Sequence, residues 1–349
     1  MKEEKIVFIC ELPPPFGGVT IKDKLLLQSV MDSETVEVID LYECKRKPIR
    51  TVGIAWRMFW AYKRNVRIVY GLGSCRRLEI ANWIQRMIGG RNSIDNTIVF
   101  VMGASLPEYL SEKGRYADLL RHMRKLYVET ERLRDALLTY GIKNIDIFPN
   151  ARSSKGSIPP KKRGEGDPLK CVFFSKICEE KGVMEIVKMY ELLEKHQRDG
   201  LQLDFYGHIS ESIQDNFAAF LKRSGNVRYC GVFDAAASNL YAKLSEYDIL
   251  LFPTLWKREG IPGILVEAKM AGIVPVVSDI NYNAEVVIDG KEGIVLSKNY
   301  AENLRKAIIR LMNDAELLYQ LKMGSYASRN RYAIENYKNI LKKEIQVSE

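Results

Sequence analysis

The sequence predicts an α/β protein made of two Rossmann-like domains, each built on a parallel sheet. Two observations support this fold class. Short apolar runs alternate with helical patterns along the whole chain, which is the rhythm of βαβ units. The length of 349 residues also suits two domains of ordinary size. We therefore expect two domains that face each other across a cleft.

The boundary between the domains is expected near the middle of the chain. Residues 153–168 form a polar stretch rich in Gly, Pro and Lys that has no hydrophobic periodicity. Such a stretch is typical of a linker or a mobile loop. We accordingly predict a first domain over residues 1–165, a second domain over residues 166–330 and a C-terminal helix over residues 331–349.

The predicted strands are the short apolar runs between the helical patterns. They cover residues 5–10, 35–39, 67–70, 97–102 and 144–148 in the first domain, and residues 170–174, 201–206, 227–230, 248–252, 274–277 and 293–296 in the second. Residues 116–140 are predicted to form one long helix, and a terminal helical region is predicted over residues 301–345.

Cysteine usage and hydropathy indicate a cytoplasmic protein. The six cysteines are scattered without Cys-x-x-Cys spacing, which favours reduced thiols and argues against a zinc site. No run of about 18 apolar residues is present, so no membrane-spanning helix is expected. Residues 1–5 lead directly into the first strand and lack the apolar core of a signal peptide.

Positive charge is concentrated in the first half of the chain. Residues 1–165 carry a net charge of +10 and the remainder −1, which predicts an anionic partner for the first half. Within residues 54–91, Arg and Lys alternate with aromatic residues, and Trp56, Phe59 and Trp60 share one helical face. This pattern suits a helix that lies on anionic lipid. The alternative is that the aromatic rings pack on the sheet while the arginines stay solvated. No nucleic acid partner is expected, because no recognisable motif is present.

Two carboxylates, Glu259 and Glu267, flank a turn that leads from a predicted strand into an apolar helix. Pro262 is well placed at or near the first helical position, where its missing N–H costs nothing. The helix should then expose free amides at its N-terminus, which form a ready anion site. These amides belong to Gly263, Ile264 and Leu265. A nucleotide-sugar could meet Glu259, the amides and Glu267 in succession. The alternative is a solvated loop that carries two unrelated glutamates.

Two other strand-to-helix turns are candidates for ligand contact. Gly17 and Gly18 follow the first strand, where a glycine backbone can approach a ligand closely, although an ordinary tight turn explains them as well. This is not the G-x-G-x-x-G fingerprint, so NAD binding is disfavoured. Lys176 and Lys181 follow the strand at residues 170–174 and can pair with a diphosphate, or they can be ordinary surface lysines.

The segment from residue 247 to residue 279 resembles the E-x7-E region of the family 4 glycosyltransferases, which have the GT-B fold. The resemblance is strong over residues 170–300 and weak over residues 1–150. It implies a nucleotide-sugar site in the second domain and an acceptor site in the first domain, with the last helix crossing back to the first domain. It also implies catalytic or donor-binding roles for Glu259 and Glu267.

The resemblance extends to other turns of the chain. Lys181 matches a family lysine that grips the diphosphate, whereas Lys176 stands where an arginine is usual and cannot form the same bidentate fork. Gly17 and Gly18 match a loop that contacts the donor. The loop that contains Val232 follows a strand whose end holds the nucleotide base in the family. Residues 103–105 replace a family histidine.

The resemblance implies a retaining, hexosyltransferase-type enzyme that moves a sugar from an NDP-sugar to a polysaccharide or a lipid-linked glycan. Such an enzyme needs no protein nucleophile, so the missing histidine does not exclude activity; a degenerate enzyme is the alternative. No cofactor or metal is expected, since no Asp-x-Asp motif is present. An NDP-sugar epimerase or hydrolase of the same fold and a non-catalytic nucleotide-sugar or polyanion-binding protein remain open. Peripheral attachment to the inner face of the membrane is a further expectation.

Overall fold

The computed structural model describes residues 6–15, 17–29, 36–64, 66–234 and 239–338. The chain divides into two compact units. The first comprises Met1–Ala151 together with Ala333–Glu349, and the second comprises Arg152–Tyr332. The boundary between the first and the second unit therefore lies after Ala151, fourteen residues before the domain boundary predicted after residue 165.

The first unit contains a six-stranded parallel sheet. Its strands are β1 (Ile6–Cys10), β2 (Val36–Asp40), β3 (Arg67–Gly71), β4 (Thr97–Phe100), β5 (Lys125–Val128) and β6 (Ile145–Ile147). They are ordered β2-β1-β3-β4-β5-β6, so the order reverses between β1 and β3. The helices are α1 (Gly18–Ser29), α2 (Tyr42–Arg46), α3 (Thr51–Lys63), α4 (Cys75–Asp95), α5 (Leu106–Glu112), α6 (Gly114–Arg121) and α7 (Glu131–Leu138).

The predicted single helix over residues 116–140 is wrong. The structure has α6, β5 and α7 in this stretch. Leu119, Met123 and Leu126 recur at i, i+4 and i+7, which imitates one face of a helix. The four residues of β5 are too few to show a period of two, and β5 is recognisable only from its pairing with β4 and β6.

The second unit repeats the architecture with its own parallel sheet. Its strands are β7 (Leu169–Phe174), β8 (Leu201–Tyr206), β9 (Val227–Tyr229), β10 (Ile249–Phe252), β11 (Val274–Ser278) and β12 (Ile294–Leu296). Its helices are α8 (Val183–Leu192), α9 (Lys195–Asp199), α10 (Gln214–Arg223), α11 (Leu240–Leu244), α12 (Gly263–Met270), α13 (Asn283–Val286), α14 (Tyr300–Asn313) and α15 (Ala315–Ser328). The two sheets confirm the predicted α/β class with two Rossmann-like units.

The order of the second sheet positions the candidate site. The strands run β12-β11-β10-β7-β8-β9, so the chain leaves β7 in one direction and β10 in the other. Ligands of open parallel sheets bind beyond the carboxyl ends of the strands at such a reversal. The two loops that follow β7 and β10 are therefore the expected place for a ligand in this unit.

Residues 153–168, predicted to be a linker or mobile loop, pack along the second unit. The amide of Ile158 donates to the carbonyl of Met270 at 2.8 Å, and the Nη2 of Arg163 donates to the carbonyl of Met312 at 2.6 Å. The Nζ of Lys322 also donates to the carbonyl of Lys161 at 3.1 Å. One backbone hydrogen bond and two side-chain-to-carbonyl hydrogen bonds thus fix a stretch whose composition indicates flexibility.

Residues 333–338, the last that the structure describes, pack in the core of the first unit. Ile334 is buried in the cluster that contains Phe148, and the ring of Tyr337 lies 5.3 Å from that of Phe148. The helix predicted over residues 331–349 is not present at its start, where two 3₁₀ turns, Arg329–Tyr332 and Ile334–Asn336, occur instead. The remainder of that prediction, residues 339–349, lies outside the described residues.

Among the residues that the structure describes, no helix has both the length and the apolar character needed to cross a membrane.

Candidate functional site

The loops after β7 and β10 are held against each other by backbone contacts. Gly182 has a φ of +78°, and a Cβ atom at this position would lie 1.9 Å from the carbonyl oxygen of Pro253. Only glycine fits so close an approach in a left-handed conformation. The amide of Leu255 donates to the carbonyl of Glu180 at 2.8 Å. The side chains on these loops therefore project from a rigid base.

Lys181 and Glu259, both predicted as site residues, form an ion pair across these loops. Each side chain is 19% exposed, so the pair is partly open to solvent. The Nζ of Lys181 lies 5.6 Å from the centroid of the Phe252 ring, at the end of β10. The structure thus brings together two residues that are 78 positions apart in the sequence.

The N-terminus of α12 supplies two free amides, one fewer than predicted. Pro262 is the N-cap and Gly263 is the first helical residue. The amide of Leu265 donates to the carbonyl of Pro262 at 3.1 Å, so this group is already satisfied. For the amides of Gly263 and Ile264, the described part of the chain provides no acceptor. These two donors and the helix dipole favour an anion at this end of α12, and binding of a ligand there stays a prediction.

Glu267 is bound to Arg152, a residue that the sequence analysis did not single out. The Nε of Arg152 donates to Oε1 of Glu267 at 2.8 Å, and the two side chains are 6% and 14% exposed. The guanidinium also lies against the start of α12, because a Cβ on Gly263 would be 1.9 Å from Nη2 of Arg152. No spacing rule connects positions 152 and 267, and only the fold brings them together.

A second buried ion pair anchors α12 on the side away from the amides. Lys269 is fully buried, and its Nζ donates to Oε2 of Glu292 at 2.9 Å and to Oγ of Ser328 at 2.7 Å. Burial lowers the pKa of Lys269 to about 8, although the carboxylate of Glu292 acts in the opposite direction. The helix that carries the free amides and Glu267 is therefore fixed through charged side chains on both sides.

The predicted base-binding region contains a cluster of aromatic rings. Phe174 and Tyr206, at the ends of β7 and β8, stack with their centroids 5.0 Å apart. Phe233 packs edge-on against Phe174 at 5.5 Å. The neighbouring Val232 is 52% exposed, and Lys176 is exposed in the turn after β7. The region offers an apolar surface beside the anion site.

Gly17 and Gly18 belong to the first unit, unlike the other predicted site residues. Gly18 begins α1, and the amide of Gly17 donates to Oγ1 of Thr20 at 3.0 Å. A Cβ on either glycine would meet nothing within 4 Å. Packing within the described residues therefore does not explain why both positions are glycine, and a ligand contact stays a prediction.

Buried acids follow β1 in the same unit, and the sequence analysis did not identify them. The amide of Glu11 donates to Oδ2 of Asp23 at 2.9 Å, and both side chains are buried. Arg77 pairs with Glu11 from the surface. Burial raises the pKa of Asp23 well above its usual range, which favours the neutral acid. Single acidic residues in an amphipathic stretch gave no signal of this grouping.

The loop at residues 103–105 places the hydroxyl of Ser105 beside a cysteine of α4. The Sγ of Cys75 lies 3.4 Å from Oγ of Ser105, and burial raises the pKa of this thiol, which disfavours a thiolate. His122 is exposed at the end of α6. Across the described ranges, no three His, Cys, Asp or Glu side chains gather in a group that could hold a metal ion.

A family model and two curated proteins match this chain. The model described as "Glycosyl transferases group 1" matches residues 155–329, which is half of the chain. The uncharacterized glycosyltransferase MJ1069 of Methanocaldococcus jannaschii is 25% identical over 182 residues, covering 50% of this chain and 45% of that protein. The capsular polysaccharide biosynthesis glycosyltransferase CapH of Staphylococcus aureus is 25% identical over 146 residues, covering 40% and 39%. The chain thus aligns with less than half the length of these relatives.

The fold also matches solved structures over nearly its whole length. The crystal structure of Alr3699/HepE from Anabaena in complex with UDP-glucose superposes with a TM-score of 0.72. The match covers 97% of this chain and 98% of the other, at 14% sequence identity. At this identity the likeness shows the fold, which is the GT-B architecture.

Proposed function

The chain belongs to the group 1 glycosyl transferases, and on that premise we propose that it is a retaining glycosyltransferase of family 4. Its donor is a nucleotide-diphosphate sugar, and its acceptor is a polysaccharide or a lipid-linked glycan. The observation that carries the proposal is the convergence of Lys181, Glu259, the α12 amides and Glu267 at one sheet reversal. The family 4 assignment rests on the spacing of Glu259 and Glu267.

Each part of the donor has a chemically matching partner in this arrangement. The amides of Gly263 and Ile264 donate to the diphosphate oxygens in this proposal, with Lys181 as an additional positive charge. Glu267 is placed for the ribose hydroxyls and Glu259 for the hydroxyls of the sugar. The aromatic cluster around Phe233 offers a surface for the base. Alr3699/HepE has been crystallised with UDP-glucose, which supports UDP as the first nucleotide to test.

The reaction that fits these groups needs no protein nucleophile. The bond between the anomeric carbon and the diphosphate oxygen breaks, and the acceptor oxygen bonds to the same face of the sugar. The proton of the acceptor hydroxyl passes to the departing phosphate oxygen. Lys181 and the α12 amides stabilise the negative charge that develops on the diphosphate, so the proposal includes no metal and no cofactor.

A screen of nucleotide-sugars tests the donor assignment directly. Unfolding temperature is measured with UDP-, GDP- and ADP-sugars, and one series should stabilise the chain because a ligand that binds only the folded state raises its stability. Sugar release from the stabilising donor, with and without glycan acceptors, then separates a transferase from a hydrolase. An epimerase would instead change the configuration of the donor sugar. Stabilisation with no turnover under any condition would indicate a binding protein.

The two lysines after β7 should differ in their effect on the nucleoside diphosphate. Lys181→Ala should weaken its binding about tenfold or more, because a charged hydrogen bond contributes roughly 1.5–3 kcal/mol. Lys176→Arg should preserve or tighten binding, since a guanidinium can form a bidentate contact with phosphate. Calorimetry with the diphosphate decides both. Unchanged affinity in Lys181→Ala would remove this lysine from the site.

For the acceptor, we propose a lipid-linked glycan that is reached from the cytoplasmic face of an anionic membrane. Three aromatic rings of α3 are exposed and touch one another: Trp56 is 61% exposed, and Phe59 and Trp60 are 38% exposed. This exposure favours a surface role over packing on the sheet. Arg57, however, donates to Glu37 at 3.0 Å and to the carbonyl of Val38 at 2.8 Å, so it is engaged in anchoring α3.

Co-sedimentation with anionic liposomes tests this surface. Lys63 and Arg64 are exposed at the end of α3, and each basic residue near such a surface contributes about 1 kcal/mol. Replacing both by glutamine should reduce binding about tenfold or more, and added salt should weaken binding of the unmodified chain. Replacing the exposed Lys222 and Lys306 of the second unit removes the same charge and should have little effect. Equal loss in both variants would contradict a role for α3.

A further inference from the structure

Arg152 is a candidate for a role that neither the sequence pattern nor the family match assigns. The turn after β7, residues 175–182, contains no arginine, and its Lys176 is exposed. A lysine is a point charge and cannot form the planar two-bond contact that a guanidinium makes with phosphate. Arg152 reaches the other side of the same site from the start of the second unit.

Contacts of both its backbone and its side chain fix the placement of Arg152. Its own amide donates to the carbonyl of Tyr332 at 2.8 Å. Its Nε donates to Oε1 of Glu267, and its Nη2 occupies the space that a side chain on Gly263 would fill. The guanidinium is 6% exposed, so little conformational freedom remains to be lost when a ligand binds.

The charges and donors around the Arg152 guanidinium favour binding of an anion. The guanidinium has only N–H donors, and it lies against a helix N-terminus that also presents donors and a positive dipole end. Glu267 balances one positive charge from the side, but the amides of Gly263 and Ile264 have no acceptor among the described residues. A phosphate that accepts from these amides would lie within reach of Nη2 and would relieve the proximity of like charges.

We propose that Arg152 is a donor-binding residue that holds the diphosphate at the start of α12 while its Nε orients Glu267. The inference rests on the proposed function, because it places a nucleoside diphosphate in this site. Arg152, the first residue of the second unit, supplies the two-bond contact with phosphate that Lys176 cannot form. It also explains Gly263, since any side chain there would displace the guanidinium.

Binding of a nucleoside, its monophosphate and its diphosphate distinguishes phosphate contact from a purely structural role. The probe series is the uridine, guanosine or adenosine series that binds the unmodified chain. Arg152→Lys keeps the charge and should lose about tenfold or more in affinity for the diphosphate, with a clearly smaller loss for the nucleoside. Equal losses for the two ligands, or no loss, would overturn the phosphate contact.

A second variant tests the contact between Arg152 and the diphosphate without removing any hydrogen-bond donor. Gly263→Ala retains every N–H but pushes the guanidinium aside, so it should also weaken binding of the diphosphate more than that of the nucleoside. Arg163→Lys is the matched control, because Arg163 lies in the same segment and contacts the carbonyl of Met312. It should leave all affinities unchanged. If the unmodified chain binds no nucleoside diphosphate, the proposed function fails together with this inference; if it binds and the variants bind equally well, only the inference fails.

Discussion

Replacing Glu267 by alanine should reduce both the stability of the second unit and donor binding. The substitution removes the carboxylate that accepts from Nε of the buried Arg152 side chain. Breaking a buried pair in this way costs about 3–5 kcal/mol, and the 14% exposure of Glu267 places the expected loss near the lower end. In the proposed donor complex Glu267 accepts from the ribose, and loss of that hydrogen bond should lower donor affinity by about tenfold or more.

Urea unfolding and calorimetry on two matched variants separate these effects. Glu316→Ala removes a carboxylate whose pair with Lys162 is more than half exposed, and it should change the free energy of unfolding by no more than about 0.5 kcal/mol. Glu267→Gln retains an acceptor for Arg152 and should recover part of the stability. A Glu267→Ala variant as stable as Glu316→Ala would show that the Arg152 pair contributes little to folding.

Glu259 should behave differently, because its ion pair with Lys181 is more open to solvent. Its removal is expected to reduce turnover while leaving the unfolding transition closer to that of the unmodified chain. The different effects expected for Glu259 and Glu267 thus follow from the different burial of their ion pairs. Glu259 stands in the loop before the helix, whereas Glu267 stands one turn into the helix beneath a buried arginine.

The sequence was sufficient to predict contacts that follow from sheet topology. Parallel strands place the loops at their carboxyl ends along one edge of the sheet, and the predicted site residues Lys181 and Glu259 form an ion pair at that edge. The apolar runs of the central strands likewise predicted the α/β class with two parallel sheets. Local chemistry also predicted α12, because proline and glycine signal its start.

Other features depend on tertiary distances that no local pattern encodes. Arg152 and Glu267 are separated by 115 positions, and no motif in the sequence marks Arg152. The amide of Leu265 was counted as free, because a sequence does not reveal that the first turn tightens towards Pro262. The composition of residues 153–168 suggests mobility, whereas hydrogen bonds to main-chain carbonyls of α12 and α14 hold the segment.

Gly182→Ala should be among the most damaging single substitutions in the second unit. The φ of +78° costs a residue with a side chain about 1–2 kcal/mol. The added methyl would also lie 1.9 Å from the carbonyl oxygen of Pro253, and backbone atoms cannot move aside as a flexible side chain can. Overpacking of this kind typically costs about 1–3 kcal/mol, so we expect a total loss of roughly 2–5 kcal/mol.

The loss should also reach the donor site, because Gly182 directly follows Lys181. Separating the loop from Pro253 would move Lys181 away from Glu259 and weaken diphosphate binding. Gly166→Ala is the matched control, since Gly166 has a φ of +80° but a Cβ there would meet nothing within 4 Å. Urea unfolding of the two variants isolates the contact: the control should lose only the conformational part, about 1–2 kcal/mol. Equal losses would show that the approach of Gly182 to Pro253 contributes nothing to stability, and that the loop carrying Lys181 is fixed by other contacts.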